Sequence, residues 1–304
     1  MRQSVRRVMC RTCMAALFIL ASALTAGGQS LSVTYADGDV AVRVSGTWTD
    51  LKAGDTVAND ATVRIAKGGI VELKLSAATI VLSQAGTYAL ADILAARQKV
   101  STNKLAAALS HSIAALSGAA AKGQNAVSGA RAGDKSTDED FEWATGDASS
   151  YIAAAKDYLD SGNSAAALVQ LEQAQSEATE DEMREVSYYR AEAYALGGRT
   201  REAITALSGI QPGKNDAWAG DYALLKARLL IDTFAPQAAV DLLAGDTTGL
   251  SKNAARAPLY YFLLAVSYKQ TGDAVKAQDA LGRLTALAAD SDLAKSAAEI
   301  VKGP

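Results

Sequence analysis

The helical half of this chain is decided by the stretch YFLLAVSYKQTGDAVKAQDALGRL, which occupies residues 261–284. Its first half is an apolar run containing Ala265, Gly272 interrupts that run, and Ala277 lies in a second amphipathic run. Glycine readily adopts the left-handed conformation that ends a helix, and alanine lets two helices approach closely. The stretch therefore predicts two antiparallel helices joined by a tight turn.

Similar units recur between residues 148 and 304. The second-helix alanines are separated by 36, 36 and 38 residues, and they are Ala167, Ala203, Ala239 and Ala277. The third unit has Phe234-Ala235-Pro236 where a turn glycine is expected, which leaves the geometry of that turn open. Because one hairpin cannot bury its apolar face alone, the units must stack. We expect about four hairpins, closed by a capping helix at residues 292–302.

Residues 31–90 follow a different pattern. Apolar residues alternate with polar or small ones along several short runs, of which Val71, Leu73 and Leu75 form the clearest. A period of two, with turn signals about every ten residues, predicts strands with one buried face. Trp48 is interpreted as an aromatic residue of this core. The predicted fold class is α+β and multidomain, with a small all-β sandwich or barrel-like domain followed by an α-helical solenoid.

Both modules resemble known families. The β pattern, with Gly38-Asp39-Val40, Leu51-x-x-Gly54-Asp55 and Gly68-Gly69-x-Val71-Glu72-Leu73, is similar to FecR-type extracytoplasmic domains. The helical pattern resembles the tetratricopeptide repeat, which implies that first helices line a groove for peptide segments or partner proteins. FecR-type regulators of transcription carry a membrane span before this domain. A signal peptide is expected here instead, which disfavours an anti-sigma role.

The N-terminus predicts export. Residues 1–26 combine basic residues with an apolar run of about a dozen residues, which is typical of a Sec-type signal peptide. Both cysteines, Cys10 and Cys13, precede the expected cleavage site, and no lipoprotein cysteine follows the run. We expect a periplasmic or otherwise exported protein without a membrane span after cleavage, although an uncleaved anchor is the alternative.

The two modules are expected to be joined by connecting helices at 91–117 and a linker at 118–147. The linker interpretation depends on a composition rich in Gly, Ala, Ser and acidic residues. His111, the only histidine in the chain, falls in the helical part of this connection. A single imidazole cannot build a histidine-rich metal site, and no nucleophile motif accompanies it.

These patterns indicate a binding protein. We expect no catalytic residue, cofactor or metal, and a net charge of −3 without a basic cluster disfavours nucleic-acid partners. The residues expected to face the groove, by helical offset, are Lys156, Tyr188, Glu192, Arg228, Phe262 and Lys269. The predicted function is a non-enzymatic scaffold or adaptor that binds envelope or periplasmic proteins, with a peptide segment in the groove. The alternatives are a factor that binds cell-wall glycan and an envelope signalling subunit.

Overall fold

The structure is a computed structural model, and it describes residues 30–99 and 147–303 with the exception of residues 77, 214 and 247. The predicted signal peptide, the connecting helices beyond residue 99, the linker up to residue 146 and His111 lie outside the described residues. The predicted order, a β region followed by a helical region, is confirmed. We call residues 30–99 the β module and residues 147–303 the helical module.

The β module contains eight described strands and one helix. They are β1 Ser30–Asp37, β2 Val40–Val44, β3 Thr47–Asp50, β4 Thr56–Ala58, β5 Thr62–Ile65, β6 Ile70–Leu75, β7 Ala78–Leu82, β8 Gly86–Ala89 and α1 Leu90–Lys99. The strands form two four-stranded sheets in the orders β4-β1-β6-β7 and β3-β2-β5-β8. All neighbouring strands are antiparallel.

One hydrophobic core joins the two sheets. Leu31 and Leu73 from the first sheet and Val63 from the second are each fully buried in it, and Leu90 of α1 closes one edge. The interpretation of Trp48 as a core residue is wrong. Trp48 is half-buried on the outer face of β3, where the Arg64 guanidinium lies 4.8 Å from its ring centroid.

The described part of the helical module contains nine α-helices and a short 3-10 helix, Leu250–Lys252. The α-helices are α2 Ala148–Asp160, α3 Ser164–Glu177, α4 Glu180–Leu196, α5 Thr200–Leu207, α6 Ala219–Asp232, α7 Pro236–Ala244, α8 Ala257–Thr271, α9 Ala274–Ala288 and α10 Asp292–Lys302. Each of the pairs α2–α3, α4–α5, α6–α7 and α8–α9 is closely packed, and we number these hairpins 1 to 4. The predicted final helix, α10, is present and packs against α8 and α9.

Local sequence explains where several of these helices begin. Asp147 and Ser291 accept hydrogen bonds from backbone N–H groups in the first turns of α2 and α10. Thr179 and Glu182 form a reciprocal capping box at the start of α4. The second-helix alanines named above are fully buried, as close helix packing requires.

The turn of hairpin 3 has the same geometry as the other three turns. Each has a left-handed residue whose N–H bonds to the carbonyl three residues back, and the next N–H bonds five residues back. Glycine occupies this position in hairpins 1, 2 and 4, whereas Phe234 occupies it in hairpin 3 with φ of 59°. Pro236 does not disturb the turn, because it lies at the first position of α7, where a backbone N–H is not needed.

Candidate functional site: a pocket across the first helices

A pocket of about 300 Å³ crosses the helical module. Its lining residues come from α2, α4, α6 and α8, the first helices of the four hairpins, and from the segments just before α6 and α8. We call it the groove pocket. Because it is built from side chains of all four hairpins, it exists only when the hairpins are packed together.

Aromatic rings form one wall of the groove pocket. Tyr188 and Trp218 are stacked, with ring centroids 5.2 Å apart and an interplanar angle of 16°. Tyr189 contacts Tyr188 edge-to-face at 4.8 Å, and the Lys156 ammonium lies 5.3 Å from the centre of the Tyr189 ring. Rings packed in this way form a rigid apolar surface, which suits the contact of an apolar side chain.

Glu192 is a half-buried acid at the groove pocket. Burial raises its pKa from 4.5 to about 7, and the nearby carboxylates of Asp221 and Asp160 act in the same direction. A hydrogen bond from Tyr188 and the charge of Lys156 oppose that shift without cancelling it. Glu192 is therefore partly protonated near neutral pH, and its proton can be lost or gained when the pocket is filled.

Arg228 is the least satisfied cation of the pocket. The residue is 9 % exposed, and neither its Nε nor its Nη1 has a hydrogen-bond partner among the described residues. The Asp232 carboxylate provides an ion pair, with an Nε–Oδ2 distance of 3.5 Å, but no hydrogen bond to Nε. Buried donors normally have partners. Because the Nε and Nη1 atoms are themselves buried, an oxygen acceptor reaches them only when an occupant displaces side chains of the pocket lining.

A second arginine is fully engaged. Arg256, just before α8, donates two hydrogen bonds to the carboxylate of Asp221 on α6, with N–O distances of 2.7 and 2.6 Å. This pairing raises the pKa of Arg256 and holds hairpins 3 and 4 together beside the pocket. Arg256 is consequently a positioning residue, whereas Arg228 has buried donors without a hydrogen-bond partner among the described residues.

The structure brings together four of the six predicted groove residues. Lys156, Tyr188, Glu192 and Arg228 all line the groove pocket. Among the residues that the sequence interpretation missed are Trp218, Asp221 and Arg256. Trp218 lies in the segment between hairpins 2 and 3, which has no counterpart in the repeat pattern, so helical offset could not find it. The only indication in the sequence was an isolated aromatic residue in a segment between two hairpins.

The structure does not place the other two predicted residues, Phe262 and Lys269, at the groove pocket. The Phe262 side chain is fully buried in the core of hairpins 3 and 4, so it cannot contact a partner. The Lys269 ammonium donates to the carbonyl oxygens of Val301 and Gly303, at the end of α10. The physical reason is that α10 packs on α8 and covers a face that a helical offset assigns to the groove.

In the part of the chain that the structure describes, no group of three or more His, Cys, Asp or Glu side chains could hold a metal ion. No helix within the ranges 30–99 and 147–303 is long and apolar enough to cross a membrane. No family model, curated protein or solved structure matches the chain.

Proposed function

We propose that this chain is an exported, non-enzymatic scaffold or adaptor of the cell envelope, and that its helical module holds a segment of a partner protein in the groove pocket. In this proposal the helical module is a tetratricopeptide-like solenoid and the β module is a FecR-like domain. The observation that carries the proposal is a pocket built from four hairpins, whose lining includes both the Tyr188–Trp218 stack and the buried, incompletely hydrogen-bonded Arg228.

The chemistry of the pocket defines the segment that fits it. An apolar or aromatic side chain would contact the Tyr188–Trp218 stack, and a backbone carbonyl or a side-chain oxygen would accept from Arg228. Four carboxylates and three cations line the pocket, so an occupant with a large charge of either sign is disfavoured. A partly apolar peptide segment with one well-placed acceptor satisfies both requirements.

The experiment that tests this proposal is photo-crosslinking in intact cells. A photoreactive amino acid replaces Lys156, which is an exposed residue of the groove-pocket lining, or Val169, which is 56 % exposed on α3. We expect one or a few envelope proteins to be captured from position 156 and not from position 169. Equal capture from both positions would refute a specific groove partner, and association with purified sacculi alone would favour the glycan-binding alternative.

A variant pair tests the role of Arg228. Arg228→Met removes the N–H donors while keeping an apolar stem, and Arg283→Met is the matched control on the exposed face of α9. Loss of a buried hydrogen bond from a charged donor should weaken binding of the captured partner by about tenfold. The control should bind as the unaltered chain does. Unchanged affinity for the Arg228 variant would show that the partner does not use these donors.

A further inference from the structure

Phe234 has a backbone conformation that its side chain does not favour. A bulky residue with positive φ is an outlier, because its Cβ crowds the following carbonyl in the left-handed region. At the equivalent positions Gly162, Gly198 and Gly272, an added Cβ would meet nothing within 4 Å. The turn therefore favours glycine because of its backbone conformation, not because a side chain would clash. A phenylalanine at this position is strained, and we expect a contact of its ring that offsets the strain.

That contact lies in the other module. Phe234 packs against the hydrophobic core shared by the two β sheets, and it is the only residue of 147–303 found in that cluster among the described residues. Phe234 is thus half-buried against a cluster whose other residues all lie far earlier in the chain. The strained position and the contact between modules coincide at one side chain.

A second contact joins the modules at the neighbouring hairpin. The guanidinium of Arg201, in the first turn of α5, lies 4.2 Å from the centre of the Tyr35 ring of β1. Its Nε is 3.3 Å from Oε2 of Glu72 on β6, and Thr34 donates a 2.7 Å hydrogen bond to Oε1 of the same carboxylate. Arg201 thus contacts both central strands of the first sheet.

The two contacts lie at the same end of the helical module. Phe234 is in the turn of hairpin 3, and Arg201 follows the turn of hairpin 2 by two residues. A cleft of about 370 Å³, lined by Tyr35 together with residues of α4 and α5, lies beside the Arg201 contact. Tyr35 and Arg201 both line this cleft, so the contact between them forms part of its wall.

We propose that the turn end of hairpins 2 and 3 is a docking surface for the chain's own β module, with Phe234 as the apolar anchor and Arg201 as the residue that fixes the orientation. The replacement of the turn glycine by Phe234 in hairpin 3 is then the feature of the sequence that indicates this surface. The docking surface is separate from the groove pocket, so a test of the docking does not depend on whether the proposed function is correct.

Hydrogen–deuterium exchange of the full chain tests this docking. Phe234→Gly gives hairpin 3 the residue that the other turns already have, so the helices should remain folded, as far-UV circular dichroism will show. We expect exchange in β1 and β6 to rise by at least about threefold, because docking no longer suppresses local opening. Exchange in α6 and α7 should be unchanged or slower. Arg201→Met should give a smaller rise confined to the same strands.

The matched control is Gly272→Phe, which places the same ring in the left-handed turn of hairpin 4, where nothing lies within 4 Å of the added Cβ. This variant should speed exchange in α8 and α9 and leave β1 and β6 unchanged. Unchanged exchange of β1 and β6 in Phe234→Gly would overturn the proposal. Faster exchange of α6 and α7 in that variant would also overturn it, since the ring would then stabilise its own hairpin.

Discussion

Replacing Glu192 by glutamine should stabilise the helical module at alkaline pH. The folded-state pKa of Glu192 is about 7, above its ordinary value of 4.5. Ionisation of this carboxyl therefore opposes folding. The penalty is absent below about pH 4.5, where both states are protonated, grows as the pH rises to about 7, and is constant above that. Glutamine has no charge to desolvate and can still accept the Tyr188 hydrogen bond.

The expected magnitude follows from the size of the shift. Each pKa unit corresponds to about 1.4 kcal/mol, so a rise from 4.5 to about 7 sets an upper limit of about 3.5 kcal/mol. Because Glu192 is only half-buried, residual solvent screening lowers our expectation to about 2 kcal/mol. For a unit the size of the helical module, this corresponds to a rise in Tm of roughly 4–8 °C.

The assay is urea unfolding of the full chain, followed by helical circular dichroism, at pH 8 and at pH 4. Glu172→Gln is the matched control, because Glu172 is an exposed residue of α3 away from the groove pocket. We expect a gain for Glu192→Gln at pH 8 that disappears at pH 4, and no gain for the control at either pH. An equal gain at both pH values, or none at pH 8, would refute the argument from desolvation.

Three further substitutions test the packing, each followed by urea unfolding. Leu73→Ala leaves a cavity at a fully buried position in the β module and should lower the free energy of unfolding by about 2–5 kcal/mol. Val44→Ala, at a site 55 % exposed, should change it little. Equal effects of the two substitutions would contradict the assigned core. Ala191→Leu inserts bulk at a fully buried position of α4 and should cost about 1–3 kcal/mol; a neutral result would mean that the helices are not closely packed there. Thr179→Ala removes one half of the capping box of α4 and should cost about 1 kcal/mol; no loss would show that the cap contributes nothing.

The sequence predicted elements whose cause is local. Alternation marked β2, β5, β6 and β7, and the repeated alanines marked second helices that are buried where expected. β1 shows the same alternation, with Leu31 and Val33 buried between exposed polar residues, but the sequence interpretation did not use it. Nor could alternation predict that β1 lies between β4 and β6, since those pairings join residues distant along the chain.

The groove pocket, too, could be predicted only where a position depends on a single helix. Helical offset found Lys156, Tyr188, Glu192 and Arg228, because those positions depend on the geometry of single helices. It failed for Phe262, since that side chain is fully buried in a cluster that also contains residues of hairpin 3, and a single helix does not show such packing. The ion pair of Asp221 with Arg256 joins two hairpins and has no signature within either one.

Among the described residues, Glu192, Arg228 and Phe234 are each unfavourable where they lie. Glu192 is an acid with a raised pKa, Arg228 is buried with unpaired N–H groups, and Phe234 has a left-handed backbone that costs about 1–2 kcal/mol relative to glycine. The first two meet at the groove pocket, and the third meets the β module. A sequence selected for stability alone would avoid all three, because glutamine, methionine and glycine are available substitutes. The two proposals therefore lead to the same expectation. Glu192→Gln should stabilise the helical module, and Phe234→Gly should relieve the strain in its own turn. What these substitutions weaken should be partner binding in the first case and docking of the β module in the second.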